Sequence, residues 1–130
     1  MSLLSIDTLR THFFTKAGVV KSVDGVSFDL DRGEILGIVG ESGSGKSVTG
    51  FSIMGLVDAP GRIVEGAIRF DGQDLVGLPE PQMRALRGRR IAMIFQDPMM
   101  TLNPVLRIDT QMIEALRAHG PWTDDAARQR

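Results

Sequence analysis

Cysteine is absent from all 130 residues. That excludes a disulfide framework, a Cys-based zinc site and a thiol nucleophile within this stretch. An excess of either charge is also missing: 15 Lys+Arg face 16 Asp+Glu, for a formal charge of −1. No global basic field therefore draws the chain toward nucleic acid or acidic lipid. Long apolar runs are lacking too, the longest being only a few residues against the ~20 that a membrane-spanning helix requires. The opening Met1-Ser2-Leu3-Leu4-Ser5 runs directly into Asp7 and Arg10 rather than into a basic-then-apolar signal peptide. These absences predict a soluble, cytoplasmic chain of at most one domain, or part of one. With 42% hydrophobic and 24% charged residues, its composition is that of an ordinary globular protein with a modest core.

What the chain has in quantity is glycine, at 15 residues. Several of them sit in Gly40-Glu41-Ser42-Gly43-Ser44-Gly45-Lys46-Ser47, a full match to G-x-x-x-x-G-K-[ST]. The flanks are those such a loop needs. Glu34 to Val39 is a short branched apolar run that predicts a strand buried on both faces. Lys46 to about Leu56 predicts a helix, with Val48, Phe51, Ser52 and Leu56 near one face. Glycines in the loop bring successive N–H groups close to phosphate oxygens, and the helix start adds unpaired donors and partial positive charge. Lys46 can reach the terminal phosphates, an attraction of about 4 kcal/mol at ~4 Å and an effective dielectric near 20, before desolvation. The hydroxyl of Ser47 suits Mg²⁺. The competing reading is a Gly/Ser surface turn with an incidental lysine. The required strand and helix context weighs against it.

The remaining elements follow from periodicity. Ser2 to Leu9 and Val19 to Leu30 alternate as strands, and Gly66 to Gly72 reads as a strand ending in a tight turn. Pro79 to Arg87 predicts a short helix, Ile91 to Phe95 a second buried strand, and Gln96 to Pro104 a loop. Ile108, Met112, Ala115, Leu116 and His119 follow helical spacing over about 108–119, with a stop at Gly120-Pro121. Thr123 followed by Asp124 and Asp125 is a helix start with only seven residues after Thr123, which predicts a truncated chain.

The phosphate loop alone leaves kinases, GTPases and transport ATPases open. Ile91-Ala92-Met93-Ile94-Phe95-Gln96-Asp97-Pro98 resembles the Q-loop of ABC transporter ATPases. The following Met99-Met100-Thr101-Leu102-Asn103-Pro104-Val105-Leu106 is similar to the form carried by di- and oligopeptide importers. Val23-Asp24-Gly25-Val26-Ser27-Phe28 and Gly66-Ala67-Ile68-Arg69-Phe70-Asp71-Gly72 add to the likeness, which covers essentially the whole chain.

The resemblance implies an α/β P-loop NTPase fold: an antiparallel β layer, the start of a parallel core, and the first part of a helical subdomain. Residues 1–130 would be the N-terminal portion of an ABC nucleotide-binding domain. It implies ATP and Mg²⁺ as ligands, bound by Gly40, Glu41, Ser42, Gly43, Ser44, Gly45, Lys46, Ser47 and Val48, with Ser47 and Gln96 at the metal. Gln96 would contact Mg²⁺ or the attacking water and move with a transmembrane partner; read alone, it is a loop-capping amide. Residues 97–107 would face that partner, and their plainer reading is a proline-stiffened surface loop.

Two departures accompany the likeness. Val48 stands where the family often has a hydroxyl, so any contact there comes from backbone N–H. The adenine-stacking aromatic is also not at the usual spacing; Phe14 is the choice, against a reading in which Phe13 and Phe14 serve a small β core.

Implied partners are transmembrane permease subunits, a second ATPase subunit and, indirectly, a solute-binding protein, at the cytoplasmic face of the inner membrane. Peptide import powered by ATP hydrolysis is the implied function. The alternatives are a nucleotide-binding fragment without activity of its own, or a P-loop kinase or GTPase. The chain contains no Leu-Ser-Gly-Gly signature, no later strand ending in Asp-Glu and no switch histidine. His12 lies on an N-terminal strand and His119 at a helix end. Arg84, Arg87, Arg89 and Arg90 lack interleaved aromatics, so a solvated face is expected there rather than a nucleic-acid site.

Overall fold

A computed structural model describes residues 2–96 and 103–118. His119, Thr123 and most of the expected partner-facing loop (97–102) lie outside the described residues. The chain divides into two compact units, 1–83 and 84–130.

The first unit is built on β1 (Ser2–Thr15) and β2 (Gly18–Asp31), which form a hairpin across Lys16-Ala17. β3 (Gly61–Phe70) pairs with the other edge of β1, and β4 (Gln73–Asp74) pairs with β3. The order is β2-β1-β3-β4, antiparallel throughout. Asp71 and Gly72, with φ of 50° and 83°, make the tight turn between β3 and β4. An Asp-Gly pair suits that turn because both central residues need positive φ.

β1 and β3 run longer than their apolar alternation predicts, to Thr15 and from Gly61 respectively. Alternation also fails inside β1, because Ile6 and Leu9 are both buried although three residues apart. A bulge reconciles them. Thr8 adopts φ 49°, and the register shifts on both flanks of β1 between Ile6 and Arg10. One inserted residue reverses the facing of the strand, so that Ile6, Leu9 and Thr11 can all turn inward. Gly66 lies across from it, where a Cβ would come within 2.5 Å of the Thr8 carbonyl oxygen.

Helix α1 (Lys46–Met54) packs against β1 and β2. The core of this unit is Ile6, Leu9, Val23, Met54, Ile68, Phe70, Leu75 and Met83. Outside it, Arg10 ties three strands together. Its guanidinium donates to Asp24 on β2 at 2.6 Å and to Glu65 on β3 at 3.0 Å. His12 Nε2 lies 3.2 Å from the same Asp24 oxygen. The Arg10 hydrogen bond, then that of His12, lowers the Asp24 carboxyl below its ordinary value.

Helix α2 (Glu80–Leu86) matches the short helix expected there. In the second unit, α3 (Ile108–Arg117) buries Ile113 and is preceded by a loop tied down by Gln111. The Gln111 amide accepts from Asn103 N at 2.9 Å and donates to the carbonyls of Asn103 and Leu106 at 3.0 and 3.1 Å.

Two expected strands are not formed. Glu34–Val39 is irregular, with Ile35 98% and Val39 94% exposed. Ile91–Phe95 is reduced to one isolated bridge between Arg87 and Ile91, and Ile94 is 94% exposed. Both runs have the composition of central parallel strands covered on both faces. A strand exists only as a pairing, and among the described residues no strand lies alongside either run.

Candidate nucleotide-phosphate site

The loop expected to hold phosphate is a compact turn closed on its own lysine. The Lys46 ammonium donates to the carbonyl oxygens of Gly40 and of Glu41, the latter at 2.8 Å, and lies 3.3 Å from Ser44 Oγ. Its three N–H donors thus match three loop acceptors. The backbone is closed further by Ser44 N donating to Glu41 O at 3.0 Å. This places the one lysine charge inside the curve of the loop rather than out in solvent.

Gly45 is the pivot from loop to helix. It sits at φ 100°, and a Cβ there would overlap the Ser22 carbonyl oxygen of β2. Gly43 has φ 83° with open space around it. Both positions need glycine for its backbone freedom, and Gly45 needs it also because the sheet passes so close.

From Gly45 the chain enters α1, whose first internal bond runs from Thr49 N to Gly45 O at 2.9 Å. The amides of Lys46, Ser47 and Val48 therefore precede the intrahelical ladder, where N–H groups and the helix dipole favour an anion. Ser47 is exposed beside them, and Val48 is half-buried.

Two hydroxyls behind the loop gave little signal in the sequence. Thr11 and Ser52 are fully buried and hydrogen-bonded to each other at 2.8 Å, and Ser52 Oγ donates to Val48 O at 2.7 Å. Thr49 Oγ1 donates to Gly45 O at 2.8 Å. The sequence groups Ser52 with Val48, Phe51 and Leu56 near one face, whereas the helix buries Thr49, Ser52 and Met54; the partner of Ser52 on β1 was not legible, because their contact spans 41 positions.

The other candidates fall elsewhere. Phe14 lies near the end of β1 opposite Val19, three positions along β2 from the Ser22 carbonyl that backs Gly45. That is roughly 10 Å at ~3.3 Å per residue. Phe14 is 40% exposed, and its ring carries the Arg62 guanidinium at 4.6 Å. Gln96 is exposed in the second unit. Among the described residues no group of three or more His, Cys, Asp or Glu side chains is gathered to hold a metal. The donor chemistry at the loop is a neutral hydroxyl, Ser47. That set fits Mg²⁺, which at nucleotide sites takes most of its oxygens from phosphate and water.

Known proteins resemble this chain over most or all of its length. The dipeptide transport ATP-binding protein DppD of Escherichia coli (strain K12) is 45% identical over 130 residues, all of this chain and 40% of that protein. The oligopeptide transport ATP-binding protein OppD of the same organism is 49% identical over 118 residues, 91% of this chain and 35% of that protein. The chain thus spans well under half the length of these relatives. Among solved structures, the dimeric ABC transporter cassette MJ0796 superposes with a TM-score of 0.82 at 21% identity, over 97% of this chain and 53% of that one. That likeness bears out the α/β cassette fold, although the parallel strands are not formed among the described residues. Residues 23–129 match the ABC transporter family, and the chain belongs to it.

Proposed function

We propose that this chain is the N-terminal, phosphate-binding part of an ATPase subunit that powers import of peptides or a related solute. The observation that carries the reading is the closed loop. Lys46 is held on the Gly40 and Glu41 carbonyls, immediately before three helix-start amides. The named activities of DppD and OppD support ATP as the nucleotide and peptides as the solute class.

The chain's own residues divide the work in this reading. The loop amides and the start of α1 bind the phosphates through Gly40 to Val48, with Glu41, Ser42 and Ser44 contributing backbone. Lys46 neutralises phosphate charge, including the charge that develops on the leaving-group oxygens in the transition state of phosphoryl transfer. Phe14 offers an aromatic face for adenine, about a nucleoside's reach along β2 from the loop. Ser47 would hold Mg²⁺, which when bound supplies further charge neutralisation. Gln96 would keep the role its position after Phe95 implies, a neutral amide contacting Mg²⁺ or the attacking water without adding negative charge.

The partners in this reading are permease subunits, a second ATPase subunit and a solute-binding protein acting through the permease. The place of work is the cytoplasmic face of the inner membrane, held there by partners. None of the described helices is long and apolar enough to cross a membrane.

The test is Lys46→Ala in the full-length protein, titrated with a fluorescent ATP analogue. An attraction of about 4 kcal/mol, partly offset by desolvation, predicts an affinity loss of at least about a hundredfold. The far-UV spectrum should be unchanged. Equal affinity in mutant and parent would remove the phosphate-loop assignment.

A further inference from the structure

We infer that Thr11 and Ser52 are positioning residues for the phosphate loop, a buried hydroxyl link that sets the first turn of α1 against strand β1. The inference rests on the phosphate-binding reading above and deepens it.

The proton order in the link can be worked out. Ser52 Oγ donates to the Val48 carbonyl at 2.7 Å, so its one proton is committed there. The 2.8 Å contact with Thr11 must then be a donation from Thr11 Oγ1 to Ser52 Oγ. The result is a directed chain, Thr11 to Ser52 to the Val48 carbonyl. Val48 is the last of the three residues whose amides precede the helix ladder, so the link ends on the carbonyl of a residue that the phosphate reading uses.

The surroundings make the link exacting. Thr11 is 0% and Ser52 2% exposed, so neither hydroxyl can turn to water. A valine would suit position 11 of a half-buried strand as well as threonine does in shape, and better in solvation. The threonine hydroxyl is useful only if the helix sits where Ser52 can meet it. A second pin lies at the head of the same helix, where Thr49 Oγ1 holds the Gly45 carbonyl and Gly45 abuts Ser22 of β2. The link from β1 and the stop against β2 together leave the helix start little freedom to slide along the sheet. Preorganised donors bind phosphate without first being ordered, which is where affinity is gained.

The experiment uses the full-length protein with Thr11→Val, Thr11→Ser, Ser52→Ala and the Thr11→Val/Ser52→Ala double variant. Affinities for ATP and for AMP are read with a displaced fluorescent analogue, beside thermal unfolding. Thr11→Val keeps the volume and loses the hydroxyl; ATP affinity should fall about tenfold, the equivalent of one lost positioning bond, with AMP affected less. Thr11→Ser keeps the hydroxyl and loses a methyl; ATP affinity should be retained while Tm falls. Ser52→Ala should match Thr11→Val, and the double variant should lose no more than either alone.

Affinity that tracks Tm across the series, with Thr11→Ser as weak a binder as Thr11→Val, would overturn the inference in favour of simple packing. So would full ATP affinity in Thr11→Val. Should Thr11→Val fail to fold, Ser52→Ala against Thr11→Ser reads the same link, because alanine favours the helix. A Lys46→Ala control separates the two levels: its failure to weaken binding would refute the phosphate reading, and the inference with it. A weakened Lys46→Ala beside a normal Ser52→Ala would refute the inference alone.

Discussion

Replacing Gly45 by alanine should be far more damaging than replacing Gly43, although both lie in the same loop at positive φ. At Gly43, φ is 83° and an added Cβ meets nothing within 4 Å. Its cost is backbone strain alone, about 1–2 kcal/mol. At Gly45, φ is 100° and the Cβ would overlap the Ser22 carbonyl oxygen, which belongs to strand backbone and cannot swing aside. Overpacking of this kind adds about 1–3 kcal/mol, for a total of roughly 2–5 kcal/mol. Against a typical stability of about 5–15 kcal/mol, that is a large fraction. Relief can come only by pushing the loop off β2, which moves the amides of Lys46, Ser47 and Val48. Gly45→Ala should therefore lose both stability and ATP affinity, whereas Gly43→Ala should lose about 1–2 kcal/mol of stability. Urea unfolding and fluorescent-analogue titration of both variants in the full-length protein measure this. Equal losses in the two would refute the reasoning, because only the Ser22 overlap distinguishes the sites.

Asp24→Asn should destabilise the protein at neutral pH, with a difference from the parent that shrinks in acid. The native carboxyl titrates below its ordinary 3.8 because Arg10 and His12 hydrogen-bond it, so its contribution is present above that value and lost as pH falls through the native one. Urea midpoints from neutral pH down to below 3.8 check the sign, and a gap that widens in acid would contradict it. The 130-residue chain alone should release no phosphate from ATP above a Lys46→Ala control, because a bound phosphate without a positioned water and base is not turned over. The same chain should scatter light through the exposed Ile35 and Val39, and Ile35→Lys with Val39→Lys should reduce that scattering. Lys46-dependent turnover by a soluble monomer would argue for a compact enzyme complete in itself.

The loop at residues 40–45 and the helix that follows it were legible because their requirements are local. Glycine is needed where φ is positive, and a helix must begin within the next residue. Both are decided over a few residues of chain, and Gly43 and Gly45 have the positive φ expected of them, whereas the contact of Lys46 with the Gly40 and Glu41 carbonyls was not foreseen. The Asp71-Gly72 turn was legible for the same reason. The helices at 46, 80 and 108 followed from their spacing to within a few residues at their ends.

Other features were decided only by contacts distant in sequence. The bulge at Thr8 exists because Ile6, Leu9 and Thr11 must reach one core between two neighbouring strands. The extension of β3 back to Gly61 follows from pairing with β1, since Arg62 to Gly66 carry no clear alternation of their own. The Thr11–Ser52 link joins a strand and a helix that the sequence shows no reason to connect. Glu34–Val39 and Ile91–Phe95 make the point from the other side. Their residues have the character of buried strands, yet they are not strands among the described residues. Turn and helix bonds close within a few residues, so the sequence alone determined them; a strand's bonds belong half to its neighbour, and only the tertiary structure supplies the neighbour.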